Sequence, residues 1–363
     1  MVAESNRILV AMSGGVDSSV AAALLAADSR DEVVGVTLRF WPCESTSGAP
    51  SSCCGVDGVA AARDAAGVLG IPHYVIDCRD AFEERVLRPA WREYSLGRTP
   101  NPCVLCNAEI KLGLLREHAR RLGAGRLATG HHARIEREEG SVRLCRGHDP
   151  GKDQSYFLFA LTLDQLRATH LPLGRLTKAE VRDEARRLGL PNAERPESQD
   201  ACFGGGERSF AEALRQRFGA PSVEGEIVNV DGRLLGRHQG IHHFTIGQRK
   251  GLGVGTGSRA YVYAIDADSG RVSVSNDSGD LLRKGLEAGA LRWLVPPEPL
   301  LSAQVQIRYR HRAAPARIEL LDQGGRALVL FEQPQRAVTP GQAAVFYRGE
   351  QVLGGGWIER SIR

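Results

Sequence analysis

An apolar run, Ile8-Leu9-Val10-Ala11, feeds Met12-Ser13-Gly14-Gly15 and then an Ala/Leu-rich stretch from Ser18 to Ala27. Nothing else in the 363 residues restricts the fold as much. A short buried strand, a Gly/Ser turn and a helix, in this order, form an anion site. The first helical N–H groups lack partners, and the helix dipole is positive there. Gly14 and Gly15 let the backbone approach phosphate oxygens, and Ser13, Ser18 and Ser19 add hydroxyl donors. The loop has no Gly-Lys-Ser/Thr, so it is not a Walker A loop, and no Gly-x-Gly-x-x-Gly, so a dinucleotide fingerprint is unsupported.

Strand and helix patterns then alternate to about residue 130. Residues 33–38, 72–76 and 126–129 read as strands, and residues 56–69, 82–96 and 107–122 as helices. This rhythm predicts an α/β domain with a doubly wound parallel sheet, its ligands at the carboxyl ends of the strands. Thr129-Gly130-His131-His132 follows the last of these strands and belongs on the same edge. There Gly130 can admit a nucleotide and His131 can contact a phosphate or base, or both histidines are plain strand-end residues. Leu38, at another strand end, packs either on an adenine ring or in the core.

Eight cysteines, in a chain with the composition of a cytosolic protein, read as metal, redox or catalytic groups rather than a disulfide framework. The prolines of Gly97-Arg98-Thr99-Pro100-Asn101-Pro102-Cys103-Val104-Leu105-Cys106-Asn107 predict a shaped loop, with Asn107 capping the next helix. A thiolate beside a helix N-terminus is stabilised, which makes Cys106 a nucleophile candidate. Cys103-x-x-Cys106 also has metal-ligand spacing, but one pair cannot complete a four-ligand site. Cys202, among polar residues and glycines in 196–204, reads as an exposed loop thiol. Cys53-Cys54, in a Ser/Gly/Pro-rich loop, reads as a metal-binding pair or as simple loop thiols.

After about residue 211 short strands alternate with glycine turns, predicting a small β-rich domain; residues 290–363 read as a small barrel. Domains of 1–210, 211–288 and 289–363 follow. Residues 290–363 hold ten Arg against six Asp/Glu, a surplus of +4 that equals the net charge of the whole chain. Arg308, Tyr309, Arg310 and Arg312 join guanidinium donors to an aromatic ring, a combination that suits RNA, or form an exposed strand face. Lys152 and Gln154, in Gly151-Lys152-Asp153-Gln154-Ser155-Tyr156, can bind a backbone phosphate or a base edge. Thr177 and Glu180 form a capping box that opens a helix. No secretory leader or bilayer-length apolar run is visible, so a cytoplasmic enzyme without a membrane partner is expected.

The loop at 11–18 resembles the Ser-Gly-Gly-x-Asp-Ser loop of the PP-loop ATP pyrophosphatases. The wider set of blocks resembles the bacterial tRNA-specific 2-thiouridylases of the MnmA family. These blocks are residues 12–18, 97–107, 128–131, 152–157, 245–253, 337–342 and 353–356, in family order. The resemblance implies three domains: PP-loop, small central and C-terminal β-barrel. It implies ATP-dependent replacement of the C2 oxygen of a wobble uridine by sulfur, with pyrophosphate and then AMP leaving. It assigns Ala11, Met12, Ser13, Gly14, Gly15, Val16, Asp17, Ser18, Leu38 and Gly130 to ATP, with Asp17 acting through Mg²⁺. Cys202 matches the thiol that receives persulfide sulfur from a carrier protein, and Cys106 the second catalytic thiol. Asn101, Pro102 and Cys103 match the target-base loop. His131, Lys152, Asp153, Gln154, Arg308, Tyr309 and Gln342 match tRNA contacts. Many members carry Asp where this chain has Cys103. A thiol weakens the proton-transfer role of that position and allows an alternative, a [4Fe–4S] cluster on Cys103, Cys106 and Cys202. A monomer is expected. The rival reading is another PP-loop adenylating enzyme, an amidotransferase or tRNA ligase, that needs no paired thiols.

Overall fold

The computed structural model describes residues 6–28, 32–40, 56–196, 209–255 and 259–363. Two compact units divide the chain: Met1–Val86, Cys103–Glu207 and Glu350–Val352 form the first, and Leu87–Pro102, Arg208–Gly349 and Leu353–Arg363 the second.

The first unit carries strands β1 (Arg7–Ala11), β2 (Glu32–Arg39), β3 (His73–Asp77), β4 (Arg126–Thr129), β5 (Ala133–Glu138), β6 (Ser141–Arg146) and β7 (Thr169–His170). Five of them make a parallel sheet in the order β3-β2-β1-β4-β7. Ile8, Leu9 and Val10 are wholly buried, because a parallel sheet is covered on both faces. Helices α1 (Val16–Ala26) and α2 (Val56–Leu69) join the strands on one side of the order. Ala21, Ala22, Ala62, Ala65 and Ala66 pack with Ile8, Val10 and Val20 in one core. Alanine and glycine are dense here because the helices lie close to the sheet.

The chain runs β1 to β2 to β3 outward, then returns to place β4 on the other side of β1. The strand order therefore reverses at β1, and Ala11 pairs with Val36 on one side and Thr129 on the other. A crevice at such a switch point is where open α/β sheets bind ligands. Hairpin β5–β6 joins this unit, and Gln351 pairs with Cys145.

One helix differs from its sequence expectation. Helical backbone starts at Pro102, not after Asn107: Pro102–Leu105 is α-helical, Cys106–Leu114 π-helical and Leu115–Arg121 α-helical. Proline fits the first helical position because it has no N–H to leave unpaired and its φ is already set. Asn107 is not a cap; its amide donates to the Phe157 carbonyl at 3.2 Å. Cys103 thus falls in the first turn and Cys106 one turn further in. The wider π turns shift the carbonyl pattern, and the Gln165 amide donates to Ala108 O at 2.7 Å.

In the second unit, β8 (Gly225–Val228), β9 (Leu234–His238), β10 (Tyr261–Asp266) and β11 (Arg271–Ser275) form a small sheet in the order β10-β11-β8-β9. Strands β12 (Leu282–Trp293), β13 (Leu300–Gln306), β14 (Ala314–Leu321), β15 (Arg326–Arg336), β16 (Ala343–Arg348) and β17 (Gln351–Ile362) run β12-β15-β14-β13-β16-β17. Pairing of β12 with β17 closes them into a six-stranded barrel, the architecture expected for the C-terminal stretch, with β12 beginning before residue 290. Its interior is filled by Leu286, Val305, Ile318, Val329, Phe346 and Ile358. β13 ends at Gln306, so Arg308, Tyr309 and Arg310 lie beyond the strand; Arg310 adopts φ 60°, which a strand cannot hold. Among the described residues, no helix is long and apolar enough to cross a membrane.

Candidate active site

The loop between β1 and α1 is held by its own hydroxyls and by distant side chains. The Ser18 hydroxyl donates to Gly15 O (3.0 Å) and accepts the Ser13 N–H (3.1 Å). Asn192 donates to Gly14 O (3.0 Å) and Ser19 Oγ (2.9 Å), and Arg195 donates to Gly14 O and Asp57 O, both at 3.3 Å. Behind the loop, the Thr37 hydroxyl donates to Met12 O (2.8 Å) and meets His73 Nε2 at 2.8 Å. The loop's carbonyls are thus tied to the protein, and the first-turn amides of α1 have no intrahelical acceptor.

Gly14 sits at φ 77°, and a Cβ there would stand 2.2 Å from Gly58 O. Only glycine fits. Gly130 is constrained too. A Cβ on it would lie 2.7 Å from Asp17 C and Ser18 N, so its bare Cα admits the first turn of α1. Leu38 is buried in β2.

Asp17 is the charge centre of this edge. Its Oδ1 lies 2.5 Å from Lys178 Nζ and 3.5 Å from His132 Nε2. Burial opposes ionisation of Asp17, but the His132 imidazole and the Lys178 ammonium outweigh it and hold the carboxyl below its usual range. Among the described residues the buried His132 ring makes no hydrogen bond at Nδ1, and at Nε2 it has only the long approach to Asp17. An imidazole and a buried ammonium that both face Asp17, beside a glycine loop and a helix start, put several potential donors to an anion on this edge.

His131 is neutral at physiological pH. Burial, aided by Lys111 and His132, pushes it down to about 3, and its Nδ1 lies 2.7 Å from Thr129 Oγ1. Asp153 is almost fully engaged. Its carboxylate pairs with Arg146 (2.8 Å) and accepts from Gly147 N, Ser155 N and Ser155 Oγ, each at 3.0 Å. Gln154 exchanges bonds with the His132 backbone, accepting its N–H at 2.9 Å and donating its own to His132 O at 2.8 Å. Asp153 and Gln154 therefore build the turn that carries the half-buried Lys152.

Cys106 is buried and Cys103 half-buried, three residues apart in the helix that Pro102 starts. Asn101 is 8% exposed. Cys202 lies outside the described residues, as do Cys43, Cys53 and Cys54. In the second unit, Gln342 donates to Thr99 O and Pro100 O, both at 3.1 Å, and fixes the chain just before Asn101. Gly341 packs so closely that a Cβ would lie 2.7 Å from Thr99 O. Arg308 bonds Arg336 O at 3.1 Å, and the Arg310 guanidinium lies 5.4 Å from the centre of the Tyr309 ring.

The sequence reading missed Lys178, Asn192 and Arg195. The capping box of Thr177 and Glu180 is present as expected. It also puts Lys178 at the first helical position, where a cation opposes the helix dipole; that mismatch was the available signal.

A parallel sheet whose strand order reverses beside a glycine-held anion loop defines a nucleotide-handling α/β enzyme. Residues 6–205 match the tRNA methyl transferase HUP domain, 213–276 the tRNA methyl transferase PRC-barrel domain, and 283–358 the aminomethyltransferase beta-barrel domain. The tRNA-specific 2-thiouridylase MnmA of Solibacter usitatus is 48% identical over 97% of this chain and 99% of its own. That of Geobacter metallireducens is 46% identical over 98% of this chain and 97% of its own. The chain belongs to the tRNA-specific 2-thiouridylase MnmA family.

Proposed function

We propose that this chain thiolates tRNA: it replaces the C2 oxygen of the anticodon wobble uridine by sulfur, using ATP. The observation that carries the reading is the Asp17–Lys178–His132 group over the helix-start loop, in a chain nearly half identical to named 2-thiouridylases. The loop 12–15, the first turn of α1 and Lys178 hold the pyrophosphate of ATP. The ionised Asp17 is suited to hold Mg²⁺, which when bound neutralises phosphate charge. The uracil C2 oxygen attacks the α-phosphorus and pyrophosphate leaves.

Sulfur then arrives as a persulfide on Cys202, loaded by a carrier protein. Its terminal sulfur attacks C2, AMP departs, and the Cys106 thiolate closes on Cys202 to release the sulfur to the base. The base must leave its stack to meet both ATP and thiol. Asn101, Pro102 and Cys103 form the loop that receives it, with His131, Lys152, Asp153, Gln154, Arg308, Tyr309 and Gln342 serving the tRNA side. The enzyme works as a cytoplasmic monomer. A [4Fe–4S] cluster on Cys103, Cys106 and Cys202 is the alternative sulfur carrier; its absorbance after anaerobic purification distinguishes the two. Incubation of tRNA with the chain, ATP and a sulfur source, followed by nucleoside mass spectrometry, tests the function. 2-Thiouridine is the expected product, and its absence overturns the reading.

A further inference from the structure

The second unit contains a cluster that the thiolation chemistry does not use. Helix Phe210–Arg217 begins with Ser209-Phe210-Ala211-Glu212, a capping-box pattern. The same pattern closes reciprocally at Thr162/Gln165 and at Thr177/Glu180. Here only half of it forms: Ser209 Oγ accepts the Glu212 N–H at 3.3 Å, while the Glu212 carboxylate turns to two imidazoles. His242 Nε2 lies 3.2 Å and His243 Nε2 3.8 Å from the same oxygen, Oε2. One nitrogen from each ring and a carboxylate oxygen all lie within 4.8 Å of one another.

Those separations have a meaning. Ligands about 2.0–2.1 Å from a tetrahedral ion lie about 3.3 Å from each other. The two imidazole-to-carboxylate separations, 3.2 and 3.8 Å, lie near that value. Their positions are also fixed. His242 is buried, with the edge of Trp91 against it at 5.6 Å between centroids. Its ring folds back over residue 240, where a Cβ would come within 2.3 Å of Cε1, so glycine is required there. Arg215 Nε and Nη2 donate to the two carboxylate oxygens at 2.9 and 2.8 Å, and Gln216 donates to Oε1 at 2.8 Å. These donors set the carboxylate plane and keep Glu212 ionised, held down to about 2, with the Arg215 bond the largest cause.

We propose that Glu212, His242 and His243 bind a divalent transition ion of the zinc and cobalt type, with a fourth position left to solvent. Two imidazoles and one carboxylate select such ions over magnesium or calcium, which prefer oxygen sets. Each ring binds through its Nε2 lone pair, with the proton kept on Nδ1. Arg215 offsets the carboxylate charge, so the imidazoles supply most of the affinity.

Co²⁺ titrated into the full chain tests this, because tetrahedral Co²⁺ absorbs in the visible and thiolate ligands add a separate charge-transfer band. The expected result is one equivalent with the visible band and no thiolate band. It is retained in Cys106→Ser and lost in both His243→Asn and Glu212→Gln. His243 is 34% exposed, so its replacement leaves the packing of the corner in place. Zn²⁺-induced shifts of the two imidazole ¹⁵N resonances in the unaltered chain give a readout that needs no variant. Unshifted resonances, or cobalt bound equally by His243→Asn, overturn the proposal.

Discussion

Lys178 Nζ lies 2.5 Å from Asp17 Oδ1, joining the first turns of two helices whose residues are 161 positions apart. Asp17 suits its place, since a carboxylate near a helix N-terminus complements the dipole. Lys178 does not suit its own: a buried ammonium at a helix start faces partial positive charge, and it reaches Asp17 while the Asp149 carboxylate accepts its backbone N–H at 3.0 Å.

Lys178→Ala is therefore expected to raise KM for ATP and lower kcat/KM roughly 10²-fold, the scale of losing one preorganised donor to developing charge. Lys178→Arg keeps the charge without the compact ammonium and recovers activity in part. Steady-state pyrophosphate release against ATP concentration reads both. An unchanged kcat/KM in Lys178→Ala contradicts the assignment.

The two loop glycines separate backbone need from proximity. Gly14→Ala places a Cβ 2.2 Å from Gly58 O at φ 77°, whereas the nearest atom to a Cβ at Gly15 is Ser13 Oγ at 3.5 Å. Gly14→Ala should cost at least the ~1–3 kcal/mol of a strained φ/ψ and abolish nucleotide binding. Gly15→Ala should cost under about 1 kcal/mol. Thermal melts with and without ATP distinguish them.

Acid sensitivity should track His131. Its folded pKa of about 3 lies below the ordinary 6.5, so the unfolded chain takes up the proton first. Stability is then whole above about 6.5 and falls as pH drops toward 3. Asp17 adds a loss at lower pH, because its folded pKa is also depressed: its contribution is present above the ordinary 3.8 and disappears as pH falls through the folded value. Urea midpoints of His131→Gln should decline less than those of the parent chain between pH 6.5 and 5; equal slopes refute the point.

Gln342→Ala removes two amide bonds, to Thr99 O and Pro100 O. At about 1 kcal/mol for each bond, a loss of about 2 kcal/mol is expected. If these bonds position the base loop, kcat falls more than KM for tRNA rises. Gln342→Glu, which keeps the shape but turns a carboxylate on the two carbonyl oxygens, should be more damaging than the alanine variant.

The parts of the fold and site that were legible in the sequence are those encoded locally. The run from Ile8 through Gly15 to Ala27 holds strand, turn and helix within twenty residues, and β4 at Arg126–Thr129 falls where its pattern put it. The closed barrel also followed from short alternating strands. What escaped comes from long range. Asn192 and Arg195 reach Gly14 O from nearly 180 residues away, and no local pattern records such a pairing. Asn107 misled because its chemistry fits a cap, yet Pro102 had already started the helix. The close packing of Gly130 on the α1 backbone is likewise a long-range contact that its own segment does not record. The alternative that put Arg308 to Arg310 on a strand face fails at Arg310, whose positive φ leaves no mark in composition.

The proposed function makes adenylation and sulfur transfer separate steps carried by separate groups, and Cys106→Ser should divide them. With tRNA, ATP and a persulfide donor, this variant should release pyrophosphate near the parent rate while its tRNA contains no 2-thiouridine. 2-Thiouridine formed by Cys106→Ser at the parent rate would contradict the account.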